Sequence, residues 1–274
     1  MSFAQMGDYE KQVEPELVER IYNWKTAIGL QKVDGLIPSK FLLDVANTHI
    51  EGKISINEVE QFLIDYYASE LARSKKENGT EEADKVSARI VRLLSTKTFS
   101  LSPIELMSIH RQLFEGIYNF AGKIRKYNIF KKEWVLQGDT VVYGNCDDIS
   151  SLLDYEFNRE KDFDYGNLES RAAVKHIGKF VADVWQIHAF GEGNTRTIAV
   201  FVIKYLRMFG YKVMNDTFEQ HSFYFRNALV RANYNDRENN VKSTLMYLNK
   251  FFGNLLFGEQ NVLKSRELLV KESS

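Results

Sequence analysis

The sequence predicts a mostly α-helical protein with a single short β-hairpin, and three observations predict it. Only three prolines occur, Pro15, Pro38 and Pro103, so the 171 residues after Pro103 contain none. All three stand where a helix can begin, a position at which a missing N–H costs little. Apolar residues recur at three- and four-residue intervals along most of the chain, among many Leu, Ile, Glu and Lys residues that suit helices. One segment, 134–143, instead reads as a strand pair around a turn.

The elements follow in order. Leu17, Ile21, Trp24 and Ile28 form the stripe of a first helix. Phe41, Leu42 and Val45 begin a second, which closes near Gly52. Ser55-Ile56-Asn57-Glu58 has the reciprocal capping pattern, and Val59, Phe62, Leu63 and Tyr66 follow on one face. Ser74 to Lys85 is polar and holds Asn78-Gly79, which predicts a loop. Val86, Ile90 and Leu94 resume a helix. Ser102-Pro103 reads as a cap and first residue, leading into Leu106, Ile109, Leu113 and Ile117. Trp134-Val135-Leu136, the turn Gln137-Gly138-Asp139-Thr140 and Val141-Val142-Tyr143 predict the hairpin, which must lean on neighbours because an isolated hairpin is marginal. Helices then return over about 147–160, 169–188, 195–209, 217–233 and 241–256. The expected organisation is a helical N-terminal region over 1–100, a core over 101–258 and a tail over 259–274, with the division in the 74–85 loop or just before Pro103.

Composition excludes several classes. Lys plus Arg total 36 and Asp plus Glu 37, a formal charge of -1, so nucleic acid is not an expected partner. The single cysteine, Cys146, permits no intramolecular disulfide and no cysteine-rich zinc site. The longest apolar run, Ile198 to Ile203, is too short to span a bilayer, and Met1 to Gln5 shows no charged stretch leading into an apolar one. The expected setting is reducing and cytoplasmic, away from membranes. His49, His176 and His221 lack metal-ligand spacing, and His110 sits beside the Leu106, Ile109, Leu113 stripe as a packing residue. Phe218, Tyr224, Phe225, Ala228, Leu229 and Ala232 could wall an adenine pocket, but their helical spacing favours core packing.

The chemistry concentrates in Ile187-His188-Ala189-Phe190-Gly191-Glu192-Gly193-Asn194-Thr195-Arg196-Thr197. Ile177, Val181 and Val184 line the helix before it; Ile198, Phe201, Val202, Tyr205 and Leu206 line the helix after it, which ends at Gly210. Gly191 and Gly193 permit unusual backbone angles and a close approach to a ligand. The loop opens a helix, whose free N–H groups and positive dipole end attract phosphate. Arg196 adds a guanidinium fork. Glu192 would repel phosphate unless a divalent cation such as Mg²⁺ bridged the two. His188 can take a proton near neutral pH. Plainer readings stand beside these: His188 as a buried structural histidine, Glu192 and Arg196 as a surface i, i+4 pair, and Glu51 as an ordinary glutamate before the helix-ending Gly52.

The stretch His188-Ala189-Phe190-Gly191-Glu192-Gly193-Asn194-Thr195-Arg196 resembles the signature of the Fic/Doc superfamily, His-Pro-Phe-x-Asp/Glu-Gly-Asn-Gly/Lys-Arg. The likeness extends to Ile109-His110-x-x-Leu113-Phe114, to Ala121-Gly122-Lys123-x-Arg125 and to the hairpin, covering about residues 100–255. It implies a helical Fic-type core with a hairpin flap and a helical N-terminal extension. It implies that His188 is the base for a target hydroxyl, that Glu192 holds Mg²⁺, and that Gly191, Gly193, Asn194, Thr195 and Arg196 cradle phosphate. Phe190 would be the buried anchor of the loop. The implied reaction moves AMP from ATP to a Ser, Thr or Tyr hydroxyl of a protein target, another protein or the chain itself, docked on the 134–143 hairpin. Ala189 replaces the motif's proline, Thr195 its Gly or Lys, and Ala199 the second arginine of many AMP-transferring members. Asn47-Thr48-His49-Ile50-Glu51-Gly52 resembles the family's inhibitory helix, which implies an inhibitory role for Glu51. The alternatives are a Fic-fold transferase with another phosphate-containing donor, because of Ala199, and a non-catalytic nucleotide-binding or interaction module.

Overall fold

The computed structural model describes residues 15–69, 79–213 and 215–270. The readings of Met1 to Gln5 and of residues 74–78 lie outside the described residues.

Ten α-helices occur among the described residues: α1 Pro15–Gln31, α2 Lys40–Ile50, α3 Ile56–Ala68, α4 Thr80–Ser95, α5 Pro103–Phe114, α6 Ile149–Lys161, α7 Ser170–Ile187, α8 Asn194–Met208, α9 Thr217–Ala232 and α10 Met246–Phe257. Their starts follow from local chemistry. The Ser39 hydroxyl accepts from Leu42 N–H, Ser55 and Glu58 close the reciprocal cap, and Ser102 accepts from Glu105 N–H with Pro103 as first residue. The polar stretch expected to reach Lys85 is already helical from Thr80. The last helix begins at Met246 rather than 241, because Asp236 and Val241 pair across a tight turn and Asn235 Oδ1 accepts from Ser243 N–H.

Helix α1 is buried more widely than its expected stripe. Tyr22, Asn23, Trp24, Thr26, Ala27 and Leu30 are inside, while Leu17, Ile21 and Ile28 are only partly covered. It lies between α4 and α9. At Gly29 an added Cβ would sit 2.4 Å from Glu219 Cα, so only glycine permits that approach. Helix α8 is buried over thirteen consecutive residues from Asn194 to Leu206 and forms the central rod against α4, α5 and α7. Phe157, Phe180, Phe201 and Tyr205 interlock edge to face around it, and Phe218, Phe225, Phe251 and Phe252 do so between α9 and α10. Phe218, Phe225, Ala228 and Leu229 are fully buried there as core.

The β-hairpin expected at 134–143 is absent; no strand forms there. Trp134–Leu136 is a 3₁₀ turn that reverses at Gln137, φ 57°, and Glu133 C=O accepts from both Leu136 and Gly138 N–H. The 3₁₀ turn puts Val135 and Leu136 both inside, where an alternating strand would bury only one of them. The 140–143 arm is tied elsewhere, since Val142 C=O accepts from Gln186 Nε2. Among the described residues no helix is long and apolar enough to cross a membrane.

Candidate active site

Helix α7 runs along the core and ends at His188, which caps it with φ 51° and donates its N–H to Trp185 C=O at 3.1 Å. A left-handed non-glycine residue costs about 1 kcal/mol and marks an imposed geometry. The His188 ring lies 4.3 Å from the Tyr143 ring centre and 5.2 Å from that of Trp185. Nδ1 sits 3.3 Å from Trp185 C=O, which makes it the protonated nitrogen and leaves the Nε2 lone pair free. Burial, then the charge of Lys131, pushes the pKa down to about 3. The imidazole is therefore neutral at pH 7. It is also more enclosed than expected: 8% of the residue is exposed.

The loop after it is fastened by its carbonyls. Arg125 donates from Nε to His188 C=O at 2.8 Å, from its backbone N–H to Ala189 C=O at 2.9 Å, and from Nη2 to Ile187 C=O at 3.3 Å. Its remaining donors reach Tyr127 and Gly144 C=O. Asn194 closes a ring with Phe190: Oδ1 accepts from Phe190 N–H at 3.0 Å and Nδ2 donates to Phe190 C=O at 2.8 Å. Phe190 is 1% exposed and stacks on His110 at 3.8 Å. His110 accepts Gly122 N–H on Nδ1 at 2.8 Å and donates from Nε2 to Glu192 C=O at 3.0 Å. Thr195 Oγ1 accepts from Trp185 Nε1 at 3.0 Å, stitching the end of α7 to the start of α8. With the carbonyls turned inward, the N–H groups of the α8 first turn carry no side-chain cap, since Gly193 occupies the N-cap.

Several predicted site residues make contacts within the protein itself. The glycines make room for the protein's own aromatics. A Cβ at Gly193, φ +78°, would meet Phe114 at 2.5 Å, and one at Gly191 would meet Tyr127 Oη at 2.6 Å. Asn194 spends its amide on the loop backbone. Arg196 does not face the loop at all. Its side chain has no exposed surface; Nε meets Asp34 at 2.8 Å, Nη1 donates to Gln31 at 3.1 Å and Nη2 to Glu82 at 2.6 Å, over the Phe114 ring at 4.8 Å. Glu51 caps α2 at the surface, more than half exposed, and pairs with Lys53 at 2.6 Å. The carboxylates that reach the motif's arginine, Arg196, are Asp34 and Glu82. Ala199 is fully buried inside α8.

Glu192 is the one motif carboxylate that faces out. Its side chain is 47% exposed, Oε1 accepts from Gly193 N–H at 3.1 Å, and Lys131 Nζ stands 3.9 Å away. No cluster of three or more His, Cys, Asp or Glu capable of holding a metal occurs among the described residues. A single outward carboxylate fits a Mg²⁺ ion that takes its other ligands from phosphate and water, and does not fit an all-protein cage. Cavities of about 490 and 390 Å³ open beside Arg171 and beside Phe99, and no residue of 188–196 lines either.

Sequence reasoning underrated Arg125, His110 and Lys131. Arg125 and His110 sat inside the segments that carried the resemblance, but their hydrogen bonds to loop backbone have no one-dimensional signature. Lys131 was visible only as one of a run of lysines.

The match to known proteins covers this same part of the chain. Residues 100–206 match the model of the Fic/DOC family. Over 115 residues the chain is 27% identical to the protein adenylyltransferase VbhT of Bartonella schoenbuchensis, an overlap of 42% of this chain and 23% of that protein. The chain thus matches less than a quarter of the length of this curated relative. The part of the chain that is similar to the Fic/DOC family therefore runs through helices α5 to α8, with the His188 loop between the last two.

Proposed function

We propose that this chain is a protein adenylyltransferase-like enzyme that moves AMP from ATP to a Ser, Thr or Tyr hydroxyl of a protein. The observation that carries the reading is the placement of His188: Nδ1 is directed at Trp185 C=O, which leaves Nε2 free, at the entrance to a loop whose carbonyls are pinned away and whose next helix is uncapped. The relative's name supplies the group transferred.

The reaction is a displacement at phosphorus. The target hydroxyl oxygen attacks the α-phosphorus, its proton passes to His188 Nε2, and the bond to the β-phosphate oxygen breaks, releasing pyrophosphate. The depressed pKa keeps the base unprotonated, and the arriving phosphate charge raises its basicity where it is needed. Arg125, His110 and Asn194 hold the loop still, so little reorganisation is left for the reacting state. Glu192 would hold Mg²⁺, which supplies charge neutralisation when bound. The target docks against the exposed Trp134 that opens the 3₁₀ turn and the exposed Phe130 and Val142 on either side of it. Tyr143, packed on the His188 ring, must yield for the hydroxyl to reach Nε2.

A second reading, a different phosphate-containing donor, is favoured by Ala199 and by the withdrawal of Arg196 from the loop. The test is incubation of the chain with labelled ATP, Mg²⁺ and candidate proteins, beside His188→Ala. Label transfer that depends on His188 supports the reading. Transfer unchanged in His188→Ala contradicts the role of the base, and label from another nucleotide in place of ATP selects the second donor.

A further inference from the structure

We infer that Arg196 is a structural tie between the N-terminal helices and the catalytic loop, and that Lys131 is the cation that grips the phosphates of the donor. This rests on the reading of residues 188–195 as the nucleotide site.

Arg196 is withdrawn from that site three ways. Nη1 and Nη2 donate to Gln31 and Glu82, and Nε stands 2.8 Å from Asp34 as an ion pair outside hydrogen-bond geometry; these partners come from the end of α1, the start of α4 and the 3₁₀ turn Lys32–Asp34. Tyr118 Oη reinforces the clasp by donating to Glu82 at 2.7 Å. One guanidinium against two carboxylates leaves the clasp formally negative, so a phosphate approaching it is repelled. Opening the clasp would strand two partly buried carboxylates, each 19–20% exposed at the side chain.

Arg125 and Arg226, the other cations whose charge reaches the His188 ring, are spent as well. Arg125 uses its donors on backbone carbonyls, and Arg226 is bound at both ends to Glu133, 1% exposed, at 2.7 and 2.9 Å. Ala199 offers no charge. Lys131 remains. Its side chain is 40% exposed and its ammonium stands 3.9 Å from Glu192 Oε1, beyond hydrogen-bond length and therefore free to turn. Its charge is also felt at the His188 ring. Lys131 thus stands beside the outward carboxylate at the mouth of the loop, where the polyphosphate of a donor would pass.

The experiment titrates the full-length chain with pyrophosphate and Mg²⁺ by calorimetry, and follows thermal unfolding without ligand, for wild type, Lys131→Gln, Arg196→Lys and Arg196→Gln. Lys131→Gln is expected to weaken pyrophosphate binding about tenfold, the loss of one charge-assisted contact, with the unfolding temperature unchanged. Arg196→Lys, which keeps the charge but cannot bridge three partners, is expected to lower the unfolding temperature and hold affinity within about threefold. Arg196→Gln should lower the unfolding temperature further; if it does not fold, Arg196→Lys carries the comparison. Equal affinity in Lys131→Gln overturns the assignment, as does loss of affinity in Arg196→Lys without loss of stability. Pyrophosphate binding lost in Lys131→Gln, in a chain that transfers nothing from ATP, would defeat the proposed reaction and leave this assignment standing. No binding by wild type would defeat both.

Discussion

Asn194 is the residue whose removal should disturb the His188 loop most for the least volume. Asn194→Ala deletes two hydrogen bonds, 3.0 and 2.8 Å long, at a residue 5% exposed. Each bond contributes about 1 kcal/mol net, and stranding the Phe190 N–H and C=O in a dry site costs more, so the expected loss is about 2–4 kcal/mol. Asn194→Asp separates the two contacts: a carboxylate still accepts from Phe190 N–H but presents an oxygen to Phe190 C=O where Nδ2 had donated. It should therefore also destabilise, despite being isosteric. Urea unfolding monitored by circular dichroism measures both, compared at constant m-value. If Asn194→Ala costs less than about 0.5 kcal/mol, the closed ring with Phe190 does not hold the loop and the reasoning fails.

Three further outcomes follow from the same geometry. Gly193→Ala must take φ +78° and place a Cβ 2.5 Å from the Phe114 ring; it should lose more than about 2 kcal/mol in the same assay, and a near-neutral result would contradict the packing. His110 and His188 have pKa values pushed by burial from 6.5 to about 4 and about 3, so the unfolded chain binds their protons first and stability falls as pH drops below 6.5; each should withdraw up to about 2 kcal/mol between pH 6.5 and pH 5, read from urea midpoints, and a flat profile over that window would count against both. Ala199→Arg, intended to restore a second arginine, should instead destabilise by about 3 kcal/mol or more, because position 199 is fully enclosed in α8; a stable variant with improved nucleotide binding would show that the register of α8 is misassigned.

What could be read from the chain alone was what is local. Ser39, Ser55 and Ser102 announce their helices through contacts three residues away, and the helices from 149 to 232 fall within two residues of their expected limits, apart from small shifts at the ends. The motif's position between two buried helices was equally local, since Val181, Val184, Ile198 and Phe201 all keep helical spacing. The failures were contacts at long range. The partners of Arg196 lie 165 residues away at Gln31 and 114 away at Glu82, and neither carries a spacing that points at the motif. The 134–143 segment had the composition of a hairpin, but Leu136 turns inward beside Val135 and the chain reverses at Gln137. Glu51 matched a pattern of residue types; its position at the exposed end of α2 beside Lys53 is a fact of packing that no such pattern holds.

The central claim is that the turn between α7 and α8 receives a polyphosphate on the N–H side of its backbone, with His188 beside it. Crystals soaked with Mg²⁺ and a non-hydrolysable ATP analogue test it directly. The account predicts phosphate density over residues 191–195, an ion at Glu192, Lys131 turned toward the phosphates and Arg196 still clasped by Asp34 and Glu82. Density for the analogue in the cavity beside Phe99 or Arg171, with the His188 loop empty, would contradict it.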